Sequence, residues 1–203
     1  MTILNGFVEA SAGSWLVCHG QPAAFFGKAV RMRRKGWMLC DRGGLDLVET
    51  TGESKFADRT RPFLTHIPCA APISAVTSKV LVAPAEARTG SQRIRLIPMS
   101  LTASICVTDF GSEWVVMATR GRTVRIQVSE GETLSVRPEA VVAWSGAKPT
   151  GFCPRLGVLD MILPRGPRDL LLTFYGPAIV WVEGSSTPSS SKPSTFNRRP
   201  YGV

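Results

Sequence analysis

An all-β fold, a double-sheet sandwich or barrel of many short antiparallel strands, is what this 203-residue sequence predicts, on three observations. Short apolar or alternating runs recur at spacings of about 8 to 12 residues. Turn-forming residues separate them, with 19 glycines and 15 prolines in the chain. No segment holds a 3.6-residue apolar period long enough for a convincing helix. At 44% hydrophobic residues, the chain can bury a core as one large or two small domains.

In chain order, residues 3–8 (ILNGFV) and 14–18 (SWLVC) are short apolar segments suited to edge strands packed on the main body. Trp37 to Cys40 is strand-like, and Leu45 to Thr50 follows the Gly43-Gly44 turn with partial period-two alternation, so a hairpin is expected there. From Gly52 to Ala87 the sequence turns polar and is punctuated by Pro62, Pro68, Pro72 and Pro84. That density predicts an irregular, surface-wrapping connection without long helices or central strands. Arg93-Ile94-Arg95-Leu96-Ile97 alternates basic with apolar, as a strand with one wet positive face and one buried face does, and Leu101 to Val107 offers another strand.

The densest signal runs from Phe110 to Trp144. Trp114–Ala118 and Val124–Val128 flank Thr119-Arg120-Gly121-Arg122, which predicts a tight hairpin. Glu130-Gly131-Glu132 forms a second turn before the alternating Leu134–Arg137 and the buried-looking run Val141–Trp144, completing a meander. Gly146 to Gly151 is a turn, Phe152 to Leu163 continues with a strand signal, and Asp169–Tyr175 and Ala178–Val182 read as a pair joined tightly by Gly176-Pro177. Beyond Glu183 the Ser/Pro-rich tail cannot bury enough surface to fold alone.

The chain carries 24 Lys and Arg against 15 Asp and Glu, a formal net charge of +9. An excess of that size points to a polyanionic partner or an anionic membrane surface. No apolar run reaches the roughly 18 residues that a membrane helix needs. The first 36 residues contain one acid, Glu9, and have the acid-poor, Arg-containing flavour of an organelle transit peptide, although Gly20, Pro22 and Gly27 interrupt any amphipathic helix.

Catalytic chemistry finds few candidates. The only imidazoles are His19 and His66, and no GxSxG elbow or histidine pair on one strand is present, so triad and cupin-type metal chemistry are not expected. The five cysteines, at 18, 40, 69, 106 and 153, stand singly without a CxxC pair and read as reduced core thiols in a reducing compartment or organelle matrix. The acid pairs Glu130/Glu132 and Asp41/Asp46 flank glycine turns, where solvation explains them. No catalytic residue, metal, cofactor or small-molecule substrate is predicted.

The basic clusters carry more information. Arg31, Arg33, Arg34 and Lys35 crowd one short stretch, Arg120, Arg122 and Arg125 surround the central turn, and Arg198 and Arg199 lie in the tail beside Phe196 and Tyr201. Guanidinium groups pair with phosphate and aromatic rings stack on unpaired bases, so these residues are the candidate contacts for RNA or a neighbouring protein. A solvated hairpin surface is an equally good explanation of Arg120 to Arg125.

Gly131-Glu132-Thr133-Leu134-Ser135-Val136, Ala140-Val141-Val142-Ala143-Trp144, Leu171–Pro177 and Val180-Trp181-Val182 together resemble the mitochondrial biogenesis family called altered inheritance of mitochondria protein 24. The likeness spans about residues 93–183. It departs at Ala178, where that family has a second glycine, and it finds no match in residues 1–90. The resemblance implies a double-sheet fold similar to the tryptophan RNA-binding attenuator protein, an organellar or bacterial protein, and no known catalytic residues. The expected organisation is a proline-punctuated β-rich part over 1–92, a β-domain over 93–183 and a basic tail over 184–203.

The expected function is a non-catalytic structural subunit of a large mitochondrial assembly, foremost a ribonucleoprotein such as the mitochondrial ribosome, contacting RNA and neighbouring proteins. The expected location is the matrix or the matrix face of the inner membrane. The alternatives are a peripheral organiser of the mitochondrial inner membrane, its basic cluster meeting anionic lipid, and, more weakly, a small-ligand-binding or enzymatic barrel.

Overall fold

A computed structural model gives the structure of the chain, and it describes residues 2–4, 6–18, 23–27, 30–34, 44–58, 60–95, 104–111, 113–152 and 170–184, with no account of the side chains of 4, 18, 23–27, 30–34 and 152. The chain is all-β. Its strands are β1 (Thr2–Leu4), β2 (Phe7–Ala10), β3 (Gly13–Cys18), β4 (Ala23–Gly27), β5 (Val30–Arg34), β6 (Leu45–Thr50), β7 (Ser54–Asp58), β8 (Phe63–Pro68), β9 (Ile73–Val76) and β10 (Val80–Pro84). There follow β11 (Arg88–Arg95), β12 (Ser104–Phe110), β13 (Trp114–Thr119), β14 (Thr123–Val128), β15 (Thr133–Val136), β16 (Val141–Ser145), β17 (Thr150–Phe152), β18 (Leu171–Tyr175) and β19 (Ala178–Glu183). Single 3-10 turns at Thr77–Lys79, Ala85–Ala87 and Pro138–Ala140 join some of them.

Two six-stranded antiparallel sheets have the orders β5-β6-β3-β10-β13-β8 and β11-β12-β9-β16-β19-β14. Each strand number in the second order is six higher than its counterpart in the first, so the topology repeats every six strands. The three-stranded sheet β17-β18-β15 is the first half of the same order once more, and β4-β7-β2, extended by β1, is the second half of an earlier round. Local details repeat as well. A 3-10 turn precedes both β10 and β16, closed by the Val80 amide on the Thr77 carbonyl and by the Val141 amide on the Pro138 carbonyl. The register also shifts in the corresponding pairs β10–β13 and β16–β19.

The sheets stack through three apolar cores. Val8, Ala10 and Phe56 of the β2/β7 sheet pack on Trp15, Val17, Val48 and Val116. The opposite faces of the same strands present Leu16, Leu47 and Met117 to Ile73, Phe110, Val142 and Trp181 of the second large sheet. That sheet in turn packs Val107, Val141, Trp144 and Val180 on Val136, Leu172 and Phe174 of the three-stranded sheet. Strands buried on both faces read as continuous apolar runs rather than alternating ones. The uninterrupted stretches Val80–Ala83, Val115–Ala118 and Val141–Trp144, all buried, have this cause.

The same burial overturns three local expectations. The Trp114–Val128 hairpin does not form: β13 pairs with β8 and β10, whereas β14 pairs with β19 in the other large sheet. A strand with both faces apolar needs neighbours on each side, and the glycine turn serves as a corner between sheets. Gly176-Pro177 is likewise a corner, because β18 pairs with β15 and β17 while β19 pairs with β14 and β16. Only glycine fits at 176, where a Cβ would collide with the Ser129 carbonyl. Third, the proline-rich segment is not irregular, since it contains β7 to β10, and β10 is central in its sheet. Pro68 and Pro84 end strands and Pro62 and Pro72 precede them, so the missing amides fall at strand ends.

The Leu45–Thr50 strand is present and pairs with β3 and β5, while its expected partner Trp37–Cys40 lies outside the described residues, as do residues 153–163 of the Phe152–Leu163 run. The boundary expected at residue 92 falls within β11. Strands from both sides of it share a sheet, with β3 joined through β10 to β13.

Trp144 is buried at 1% exposure with its ring 5.7 Å from that of Phe174, yet its indole N–H has no hydrogen-bond partner among the described residues. An unpaired buried donor costs about 1–3 kcal/mol, which offsets part of what the ring contributes. Trp144→Phe is therefore expected to change stability by less than about 1.5 kcal/mol. Phe174→Ala, which leaves a cavity and no such offset, is expected to cost about 3–5 kcal/mol. Urea denaturation of the two variants checks the contrast.

Candidate nucleic-acid interface

The basic clusters fall on corners and edges of the large sheets. Arg31, Arg33 and Arg34 lie on β5, the outer strand of the first large sheet. Alternation puts Arg31 and Arg33 on one face of the strand and Arg34 on the other. In register, Arg31 stands opposite Glu49 and Arg34 opposite Asp46, with Arg33 opposite Leu47. Opposite charges in directly facing positions stabilise antiparallel pairs by up to about 1 kcal/mol. Two of these three arginines thus occupy positions that sheet pairing alone explains.

The corresponding outer strand of the second large sheet is β11, and it differs in that respect. Its burial alternates along the whole strand: Thr89, Ser91, Arg93 and Arg95 are exposed, whereas Ile94 packs on the apolar core. Arg93 faces Cys106 and Arg95 faces Ser104, so no acid stands opposite either. Among the described residues neither guanidinium has an ion-pair partner. A polar seam holds the strand in place. Gln92 Nε2 donates to Asp109 Oδ2 at 2.9 Å, the Thr89 hydroxyl donates to the Asp109 carbonyl at 3.1 Å, and Ser74 Oγ donates to Asp109 Oδ1 at 2.6 Å from the far side. The alternation over residues 93–97 announced this positive face, but the crowding of charges at 31–35 was the louder signal.

The third cluster surrounds the β13–β14 corner. Arg120, Arg122 and Arg125 are all exposed, with Arg125 on β14 at the opposite edge of the second large sheet from β11. The topology therefore does not gather the clusters at 31–34 and 120–125 on one edge. Lys35, Phe196, Arg198, Arg199 and Tyr201 lie outside the described residues.

A buried ion pair fixes the corner. Lys79 Nζ donates to Glu183 Oε2 at 2.7 Å and to the Glu139 carbonyl at 2.6 Å, while Glu183 Oε1 accepts the Arg120 amide at 2.5 Å and the Gly121 amide at 3.1 Å. The Gly184 amide, one residue on, donates to the Arg122 carbonyl at 2.8 Å. Burial pushes the Glu183 carboxyl upward, but the Lys79 hydrogen bond and charge, with the two amides, outweigh it and hold the group below the usual glutamate range. Burial lowers the Lys79 ammonium against the pull of Glu183, and the nearby Arg61 lowers it further. The carboxylate replaces the cross-strand hydrogen bonds that a hairpin would have used at this turn.

Catalytic groups are sparse among the described residues. No three His, Cys, Asp or Glu side chains come together as metal ligands there. Burial pushes the Cys69 thiol up to about 11, away from a reactive thiolate. His66 sits on β8 with its ring 6.0 Å from that of Trp114, and desolvation lowers its pKa.

Breaking a buried pair leaves an uncompensated charge. Lys79→Met and Glu183→Gln are each expected to destabilise the fold by about 3 kcal/mol, and the double variant by less than the sum. The depressed Glu183 group has a folded pKa below its unfolded one, so its contribution is full above the unfolded value and is lost as pH falls through the folded value. Chemical denaturation between neutral and acid pH should show that loss in the wild type, with a shallower acid slope in Glu183→Gln.

Neither a protein-family model nor a curated protein matches the sequence. Among solved structures, the chain is similar to an X-ray crystal structure of a protein from Streptococcus pyogenes, with a TM-score of 0.66 and 14% sequence identity over 91% of each chain. At that identity the likeness is one of fold, and it covers the all-β architecture almost from end to end.

Proposed function

We propose that the protein is a non-catalytic structural subunit of a large mitochondrial ribonucleoprotein assembly, of which the mitochondrial ribosome is the foremost example, and that it contacts RNA phosphates through exposed arginines on its sheet edges and corners. The observation that carries the reading is the outer strand β11, with Arg93 and Arg95 exposed, no acid opposite either, and a side-chain hydrogen-bond seam holding the strand. The net charge of +9 supplies the long-range attraction. The mitochondrial setting rests on the family resemblance of residues 93–183.

Arginines at sheet edges also deter unwanted strand pairing, so the distinction between RNA binding and edge protection needs a binding measurement. Affinity for a labelled single-stranded RNA, followed by fluorescence anisotropy across salt concentrations, is expected to fall linearly in a log–log plot. Arg93→Ser with Arg95→Ser should reduce the slope by about 1.4, at about 0.7 for each phosphate that is no longer neutralised. Arg31→Ser with Arg34→Ser should reduce it less, because acids face both residues. Co-sedimentation with mitochondrial ribosomal subunits that nuclease abolishes is the expected result for the full-length protein. An unchanged salt slope in the β11 variant, or flotation with cardiolipin vesicles without RNA affinity, overturns the reading, and the vesicle result favours the inner-membrane alternative.

A further inference from the structure

The repeated topology leaves two half sheets over, and they are complementary. In both large sheets the first three strands meet the last three at one junction, formed by β3 with β10 and by β9 with β16. The three-stranded sheet ends in β15, the counterpart of β3 and β9. The sheet β4-β7-β2 begins with β4, the counterpart of β10 and β16. Among the described residues β15 pairs with β18 alone and β4 with β7 alone, so both counterparts keep an open hydrogen-bonding edge where the junction would form.

We propose that β4 of one copy of the chain pairs antiparallel with β15 of another, completing a third six-stranded sheet in the order β17-β18-β15-β4-β7-β2, with the last three strands from the second copy. Each half sheet already packs one face on its own core, through Val136, Leu172 and Phe174 on one side and Val8 and Phe56 on the other. The edges are thereby held ready, and main-chain hydrogen bonds supply the affinity, as in other strand additions. Charge distinguishes these edges too. The outer strands β5, β11 and β14 carry arginines, which discourage pairing, whereas β4 (AAFFG) and β15 (TLSV) carry no charged residue. The contact joins two different surfaces, so it propagates head to tail and closes into a ring or extends as a filament.

Sedimentation equilibrium of the full chain tests this. The expected result is a mass that rises with concentration above the 21.9 kDa of one chain. Thr133→Lys with Ser135→Lys, both at exposed positions of β15, should return the protein to single-chain mass with an unchanged far-ultraviolet circular dichroism spectrum. A second measurement mixes Ser135→Cys protein with Phe26→Cys protein, the latter changed at the β4 position opposite the exposed Lys55. Oxidation should give a species of twice the chain mass that neither variant forms alone. Single-chain mass at every concentration overturns the proposal. So does a crosslink formed inside one chain carrying both cysteines, because the chain would then close its third sheet on itself.

Discussion

Burial of the middle strands on both faces is the constraint from which the rest of the architecture follows. A strand such as Val115–Ala118, buried throughout, cannot sit in a two-stranded ribbon with one face in water. It needs hydrogen-bonded neighbours on both sides and an apolar layer above and below. The sheets therefore widen to six strands and stack, and consecutive strands are sent to different layers. Corners at Gly121 and Gly176 take the place of hairpins because the chain must change sheet there.

The arrangement leaves few polar groups inside, and those present act as ties between layers. Lys79 comes from the 3-10 turn before β10 and Glu183 from the end of β19, so their contact joins the two large sheets. Ion pairs of this kind contribute little net stability against an apolar replacement but penalise their own disruption. Glu183 also occupies the amides of Arg120 and Gly121, which places the arginine-bearing corner as a by-product of holding the sheets together. In the second large sheet, Asp109 plays a similar part for the basic edge, receiving bonds from Ser74 and Gln92 on either side.

Much of this was legible in the residues themselves, and the limit has a physical origin. The run Val141–Trp144 announced a strand buried on both faces, and Arg93-Ile94-Arg95 announced a strand with one wet positive face, because side-chain alternation depends only on the residue's own backbone. The turn at Thr119–Arg122 was legible as a turn but not as a corner, since glycine permits both. The prolines between 62 and 84 misled because their position relative to strand ends, which decides whether a missing amide matters, is set by pairing partners far away in the chain. Among the candidate contacts, the density of charge at 31–35 stood out, but the acids that face Arg31 and Arg34 come from the neighbouring strand and enter only through register.

By itself, then, the sequence determined the all-β class, the positions of most strands, the scarcity of catalytic groups and the basic character of the surface, since each follows from local pattern or from composition. The tertiary structure decided which strands share a sheet, that the strand order recurs every six strands, that β11 rather than β5 carries arginines without facing acids, and that two half sheets keep open edges. These depend on long-range pairing and register. A repeat held in strand order leaves little trace in residue identity when any apolar side chain of suitable size fills the equivalent position.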